Sequence, residues 1–130
     1  MPSIGRVLID THVFLWMATT PEMLSPRALL ACESSDLLLS VASVWEIAIK
    51  HESGKLPLPA PLRRFLDRHI RAAGVELLPI GYLHSLRAAA LPPHHKDPFD
   101  RMIAAQSLEE KLPCVTSDPN LARYNISALW

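Results

Sequence analysis

The sequence predicts an α/β fold, a single domain over residues 1–130 whose mainly parallel sheet of four to five strands is flanked by helices. Three observations predict it. Short, almost wholly apolar runs alternate with longer segments of helical periodicity, the rhythm of strand–helix–strand crossovers. A chain of 130 residues, 49% of them hydrophobic, is long enough to bury one core. Acidic residues recur where a strand ends or a helix begins, with no repeat or linker between the segments.

In order, Ile4 to Ile9 carries Val7, Leu8 and Ile9 and stops at Asp10, the profile of a strand buried on both faces. Thr11 to Met17 follows as a short helix with Phe14, Leu15 and Trp16. Ser25 then Pro26 opens a second helix to about Ser34, serine at the cap and proline in the first turn. Leu37 to Val41 is the next buried strand. Ser43-Val44-Trp45-Glu46 has the spacing of a capping box opening a helix with Ile47 and Ile49, closed near Gly54. Pro57, Pro59 and Pro61 keep the chain extended until a helix from about Leu62 to Ala73, stopped by Gly74. Val75 to Ile80 is a third strand and Gly81 to Ala90 a further helix, ended by Pro92-Pro93. Cys114 to Thr116 is a fourth strand, Pro119 to Tyr124 a helical turn, and Ile126 to Trp130 a short last strand.

The stretch with the densest chemistry is His94-His95-Lys96-Asp97-Pro98-Phe99-Asp100-Arg101. Asp97 reads as an N-cap, Pro98 takes the first helical position, and Asp100 falls in the first turn beside unpaired N–H donors. Phe99, Met102 and Ile103 form the apolar stripe, and Ala104 and Ala105 allow close approach of a neighbour. The result is a buried helix with an acidic mouth.

Thirteen basic and thirteen acidic residues cancel, which excludes a general polycation and confines any nucleic-acid contact to a local patch. Cys32 and Cys114 are far apart with no metal-binding spacing; they read as free thiols in a reducing compartment. The apolar run Val13 to Ala18 is too short for a membrane span and is preceded by Asp10 and His12, so a cytoplasmic location is expected.

Asp10 and Asp118 each follow the carboxyl end of a strand, and Glu46 and Asp100 each lie at the start of the next helix. The crevice outside the carboxyl ends of the strands is where open α/β sheets bind ligands, so four carboxylates converge there. Like charges so placed protonate or recruit a hard cation, and Mg²⁺ or Mn²⁺ is the natural neutraliser. Each acid alone is also explained by helix capping or a turn; their common placement is not. Ser43 and Thr116 can hold a carboxylate from behind or simply serve a cap and a strand. His12, His94 and His95 offer no zinc set, and a loop histidine pair beside Lys96 is ordinarily solvated.

Leu8-Ile9-Asp10-Thr11-His12-Val13-Phe14-Leu15-Trp16, Ser43 to Lys50, Pro93 to Arg101 and Thr116-Ser117-Asp118 resemble, in this order, the signature blocks of PIN-domain proteins. More narrowly they resemble the VapC-type toxins of bacterial toxin–antitoxin pairs, through to Ala122-Arg123-Tyr124 and Leu129-Trp130. The resemblance implies a PIN fold, a Mg²⁺- or Mn²⁺-dependent endoribonuclease, a cognate antitoxin and a homodimer. It places the family's acids on Asp10, Glu46, Asp100 and Asp118, with Asp10 and Asp100 holding the metal and Asp118 either binding a second ion or standing in the outer coordination sphere. Asp97 is extra: a cap, an outer acid or an auxiliary ligand.

In that chemistry Glu46 orients or deprotonates the attacking water, and no covalent nucleophile is needed. Lys50, Lys55, Lys96 and Arg101 are the expected RNA contacts, Arg101 alternatively pairing with an acid. Arg64, Arg68 and Arg71 share a helix face that could track phosphates, although a solvated surface balanced by Asp67 explains them as well. Trp16, Trp45 and Trp130 are candidates for a partner groove, against core burial as the usual fate of tryptophan. A haloacid-dehalogenase-like phosphatase would need an acid where His12 stands, and a non-catalytic module would be expected to have lost some of the four acids.

Overall fold

The fold is seen in a computed structural model, which describes residues 5–59 and 61–130. Its strands are β1 (Arg6–Ile9), β2 (Asp36–Ser40), β3 (Glu76–Leu78), β4 (Cys114–Val115) and β5 (Ala128–Leu129). Its helices are α1 (Thr11–Thr19), α2 (Pro26–Ser34), α3 (Val41–Glu52), α4 (Leu62–Ala73), α5 (Tyr82–Ala90), α6 (Pro98–Glu110) and α7 (Pro119–Ala122), with a 3₁₀ turn at Pro21–Met23. The first strand was expected to begin at Ile4, which lies outside the described residues.

The strands form one sheet in the order β3-β2-β1-β4-β5, and every pairing is parallel. From β1 the chain winds outward to β2 and β3, then returns to the other side of β1 to lay down β4 and β5. The direction of winding therefore reverses between β1 and β4, where Ile9 lies in register with Val115. Such a switch point opens a crevice at the carboxyl edge of the sheet, and Asp10 and Asp118 flank it.

Alternation along the strands divides the core in two. Val7, Ile9, Leu37, Leu39 and Val115 face Val13 and Phe14 of α1, Ala28 and Cys32 of α2, and Phe65 and Leu66 of α4. Leu8, Leu38 and Cys114 face the other way, toward Ile103 of α6. Both faces of the central strands are covered, which is why they read as uninterrupted apolar runs. Gly74 ends α4 as expected: at φ 63° it donates to the carbonyls of Arg71 and Ile70, in a conformation glycine adopts without strain.

Several boundaries differ from the sequence reading: α1 runs on to Thr19, and β4, α7 and β5 are shorter than expected. The second strand ends at Ser40, and Ser40, not Ser43, caps α3: its hydroxyl accepts from the Ala42 amide at 3.0 Å. The expected capping box at Ser43 and Glu46 is thus corrected. Both residues lie inside the helix and are buried, Glu46 beyond the first turn, because the hydroxyl nearest the strand end satisfies the free amides first. The third strand is shorter than Val75 to Ile80, its pairing confined to Glu76–Leu78 on the sheet edge.

α5 and α6 form an antiparallel hairpin. His84 near the start of α5 meets Glu110 at the end of α6 at 2.9 Å, and Arg87 meets Glu109 at 2.6 Å. At the opposite end the Arg101 guanidinium donates to the carbonyls of Ala88, Leu91 and Pro92 at 2.8, 2.9 and 3.0 Å. It thereby satisfies the carbonyls that the end of α5 leaves free. Among the described residues no helix is long and apolar enough to cross a membrane.

Candidate active site

Four strand-to-helix or loop-to-helix junctions meet at the carboxyl edge, and three of them deliver an acid by the same local device, a carboxylate beside free helix amides. Asp10 caps α1 and accepts from Val13 N–H at 2.8 Å. Asp97 caps α6, accepting from Phe99 N–H at 2.9 Å, and Asp100 stands in the first turn of the same helix. Asp118 caps α7 through Asn120 N–H at 2.8 Å, and its own amide donates to the Thr116 hydroxyl at 3.0 Å. Glu46 arrives from α3.

Glu46 is buried and fully engaged. Thr11 Oγ1 donates to its Oε1 at 2.7 Å, Lys50 Nζ to its Oε2 at 2.7 Å, and Ser43 Oγ lies 2.9 Å from the same threonine oxygen. The bond to Glu46 holds the Lys50 ammonium above its ordinary range, so it stays charged. Ser43 thus reaches Glu46 through Thr11, and the Thr116 hydroxyl touches both the Asp118 amide and the Asp10 carboxylate.

The electrostatics show an acid cluster short of positive charge. Burial is the main cause that raises Asp100 to about 7; Asp97, Glu46 and Asp118 add to the rise and His95 works against it. Asp10 is also raised, again chiefly by burial, while the Thr116 hydroxyl and the Val13 amide oppose the shift. The mutual influence of these groups, on elements far apart in sequence, shows that the fold brings the four acids together.

Sequence reasoning missed His95. Its Nε2 lies 2.9 Å from Asp100 Oδ2 and 3.3 Å from Asp118 Oδ2, and the three side chains offer donor atoms within 4.8 Å of one another. It is not a solvated loop residue. The signal available was its place two residues before the acidic cap, but a doublet of histidines beside a lysine carries no periodicity to show which one turns inward.

A model of the PIN domain matches residues 7–126. Ribonuclease VapC22 of Mycobacterium tuberculosis (strain ATCC 25618 / H37Rv) is 33% identical over 123 residues, covering 91% of each chain. The chain is a PIN domain of the VapC type. Ribonuclease VapC16 of the same organism is 36% identical over 64 residues, 49% of this chain and 45% of its own. Among solved structures the PIN domain resembles, at 13% identity, a chain of VapBC2 from Rickettsia felis bound to a promoter DNA fragment. Its TM-score is 0.70, covering 95% of this chain and 96% of that one. FitAcB from Neisseria gonorrhoeae gives a TM-score of 0.61 at 20% identity, covering 94% and 95%.

In this PIN domain the basic candidates separate by position. Lys50 is tied to Glu46 at the mouth, and Lys96 is exposed on the loop leading to Asp97. Lys55 is exposed too but lies past the end of α3 that is farther from the mouth. Arg101 turns to the α5 carbonyls, not to the acids. Arg64, Arg68 and Arg71 form an exposed face of α4, where Asp67 lies 3.7 Å from Arg63. The tryptophans also divide. Trp16 packs on Trp130, ring centroids 5.8 Å apart, and against the larger core, whereas Trp45 is 62% exposed and meets Phe99 edge-on at 5.4 Å.

Proposed function

We propose that this PIN domain is a Mg²⁺- or Mn²⁺-dependent endoribonuclease, the toxin of a toxin–antitoxin pair. The observation that carries the reading is the convergence of Asp10, Glu46, Asp100 and Asp118 at the switch point of the sheet, with too little positive charge nearby to neutralise them. The donor set fits a hard divalent cation: carboxylate oxygens from Asp10, Asp100 and Asp118 would hold it. When bound, the ion supplies charge neutralisation and Lewis acidity at a phosphodiester.

The chain's own residues then have distinct tasks. Glu46, clamped by Thr11 and Lys50, orients the attacking water and accepts its proton. Lys50 and Lys96 attract the phosphate backbone to an otherwise acidic mouth, Lys55 would meet only a strand long enough to pass the far end of α3, and Arg101 holds the loop from which Lys96 projects. Asp97 fixes the helix start that carries Asp100.

The relative named Ribonuclease VapC22 and the VapBC assemblies among the structural neighbours support this reading over a non-catalytic module or another phosphoesterase. They also support a cognate antitoxin. A homodimer is supported by the apolar face of α5, where Tyr82 is 78% exposed with Leu83 and Leu86 beside it. The test is cleavage of single-stranded or looped RNA by the isolated protein, with cut ends sequenced. Activity should require Mg²⁺ or Mn²⁺, and Asp10→Asn or Asp100→Asn should lower it about a hundredfold or more. Cleavage undiminished in excess EDTA refutes the metal mechanism.

A further inference from the structure

We propose that His95 is a positioning residue which ties Asp100 to Asp118 and so assembles carboxylates from two separate elements into one cation seat. The proposal rests on the reading above, that these acids hold a divalent ion. Asp100 belongs to the first turn of α6 and Asp118 to the junction of β4 and α7, and both are half-buried side chains of like charge. Left to themselves they repel. Their Oδ2 atoms instead approach the same nitrogen, His95 Nε2, at 2.9 and 3.3 Å. Among the described residues no lysine or arginine side chain forms an ion pair with either acid.

The ring is set for this task from three sides. The Asp97 amide donates to Nδ1 at 3.3 Å, which makes Nδ1 an acceptor and puts the ring proton of the neutral imidazole on Nε2, facing the carboxylates. The His95 amide donates to the Tyr124 hydroxyl at 2.8 Å, and Tyr124 is itself buried. Arg101 donates to the His95 carbonyl at 3.4 Å while gripping the end of α5. A loop histidine with a fixed ring, a fixed amide and a fixed carbonyl is oriented by the fold. The task is that of outer partners which orient ligating carboxylates and typically change metal affinity ten- to hundredfold.

The experiment is calorimetric titration of the metal-free protein with Mn²⁺ for the wild type, His95→Ala and His95→Gln. The Gln side chain keeps an N–H donor at about the reach of Nε2. His95→Ala should bind Mn²⁺ about ten- to hundredfold more weakly, and His95→Gln should recover most of the loss. His95→Asn, too short to reach both acids, replaces the alanine variant if that does not fold. In EDTA at pH 8, ¹⁵N NMR of the wild type should show the ring protonated at Nε2. Unchanged or tighter binding by His95→Ala overturns the proposal while leaving the cation site intact, as does equal loss in both variants, which would mean direct ligation by nitrogen. A wild type that binds no Mn²⁺ at millimolar concentration refutes the cation reading itself, and this proposal with it.

Discussion

Replacing Asp100 by Asn should stabilise the metal-free protein, and only at neutral to alkaline pH. Burial and the neighbouring carboxylates raise Asp100 from 3.8 to about 7. A carboxyl raised in the folded state favours folding fully below its unfolded value, and that advantage disappears as pH climbs through the folded one. The window is thus about pH 4 to 7, and above it the folded protein carries the whole cost of an ionised, crowded group. A rise from 3.8 to about 7, at about 1.4 kcal/mol for each tenfold change in the proton equilibrium, sets a ceiling of about 4 kcal/mol. The side chain is 19% exposed, and water reaching it cuts the expressed share to about 1–2 kcal/mol. Asn keeps an oxygen for His95 and carries no charge. In EDTA at pH 8 the variant should melt about 3–8 °C above the wild type, and the curves should converge near pH 4. Saturating Mn²⁺ should reverse the order, raising the wild type by mass action on its folded state while leaving the variant little changed. A variant no more stable than the wild type at pH 8, or equally stabilised at pH 4, refutes the claim that Asp100 is held ionised against its surroundings.

At the helix cap, Asp97→Ser should keep the fold and most RNA cleavage, whereas Asp97→Ala should cost about 1 kcal/mol in urea unfolding; loss of activity in the serine variant at unchanged melting temperature would make Asp97 a ligand. Arg101→Ala should destabilise by about 2 kcal/mol, and Arg101→Lys should not restore it, since one ammonium cannot span the three carbonyls that the guanidinium joins. Trp16→Ala should cost about 2–3 kcal/mol through lost packing on Trp130 and the core, while Trp45→Ala, at an exposed site, should change stability by less than about 1 kcal/mol. Cys32 and Cys114 are buried and their thiols are pushed up by burial, so neither should react with a thiol reagent until the protein unfolds.

The sequence by itself determined the alternation of elements, and with it the parallel sheet. Apolar runs at Val7 to Ile9 and Leu37 to Leu39, short and set between helical segments, read as strands covered on both faces, and such strands need helical crossovers. It also determined which acids stand at the carboxyl edge, because Asp10, Asp97 and Asp118 cap helices, and capping is chemistry local enough to read from adjacent residues. Where two local signals competed the reading failed: Ser40 and Ser43 both offer a hydroxyl, and only the strand's true end decides which one caps α3. The tertiary structure alone decided what depends on distant partners. His94 and His95 are indistinguishable in sequence, yet one ring rests on Tyr124 while the other joins Asp100 to Asp118, which lies 23 residues further along the chain than the histidine. Arg101 stands beside Asp100, where an acid partner looked natural, but the α5 carbonyls take its guanidinium because the hairpin brings that helix end within reach. Trp45 is adjacent to buried Glu46 and still faces outward, since neighbouring residues on a helix point about 100° apart and only packing chooses which of them is covered.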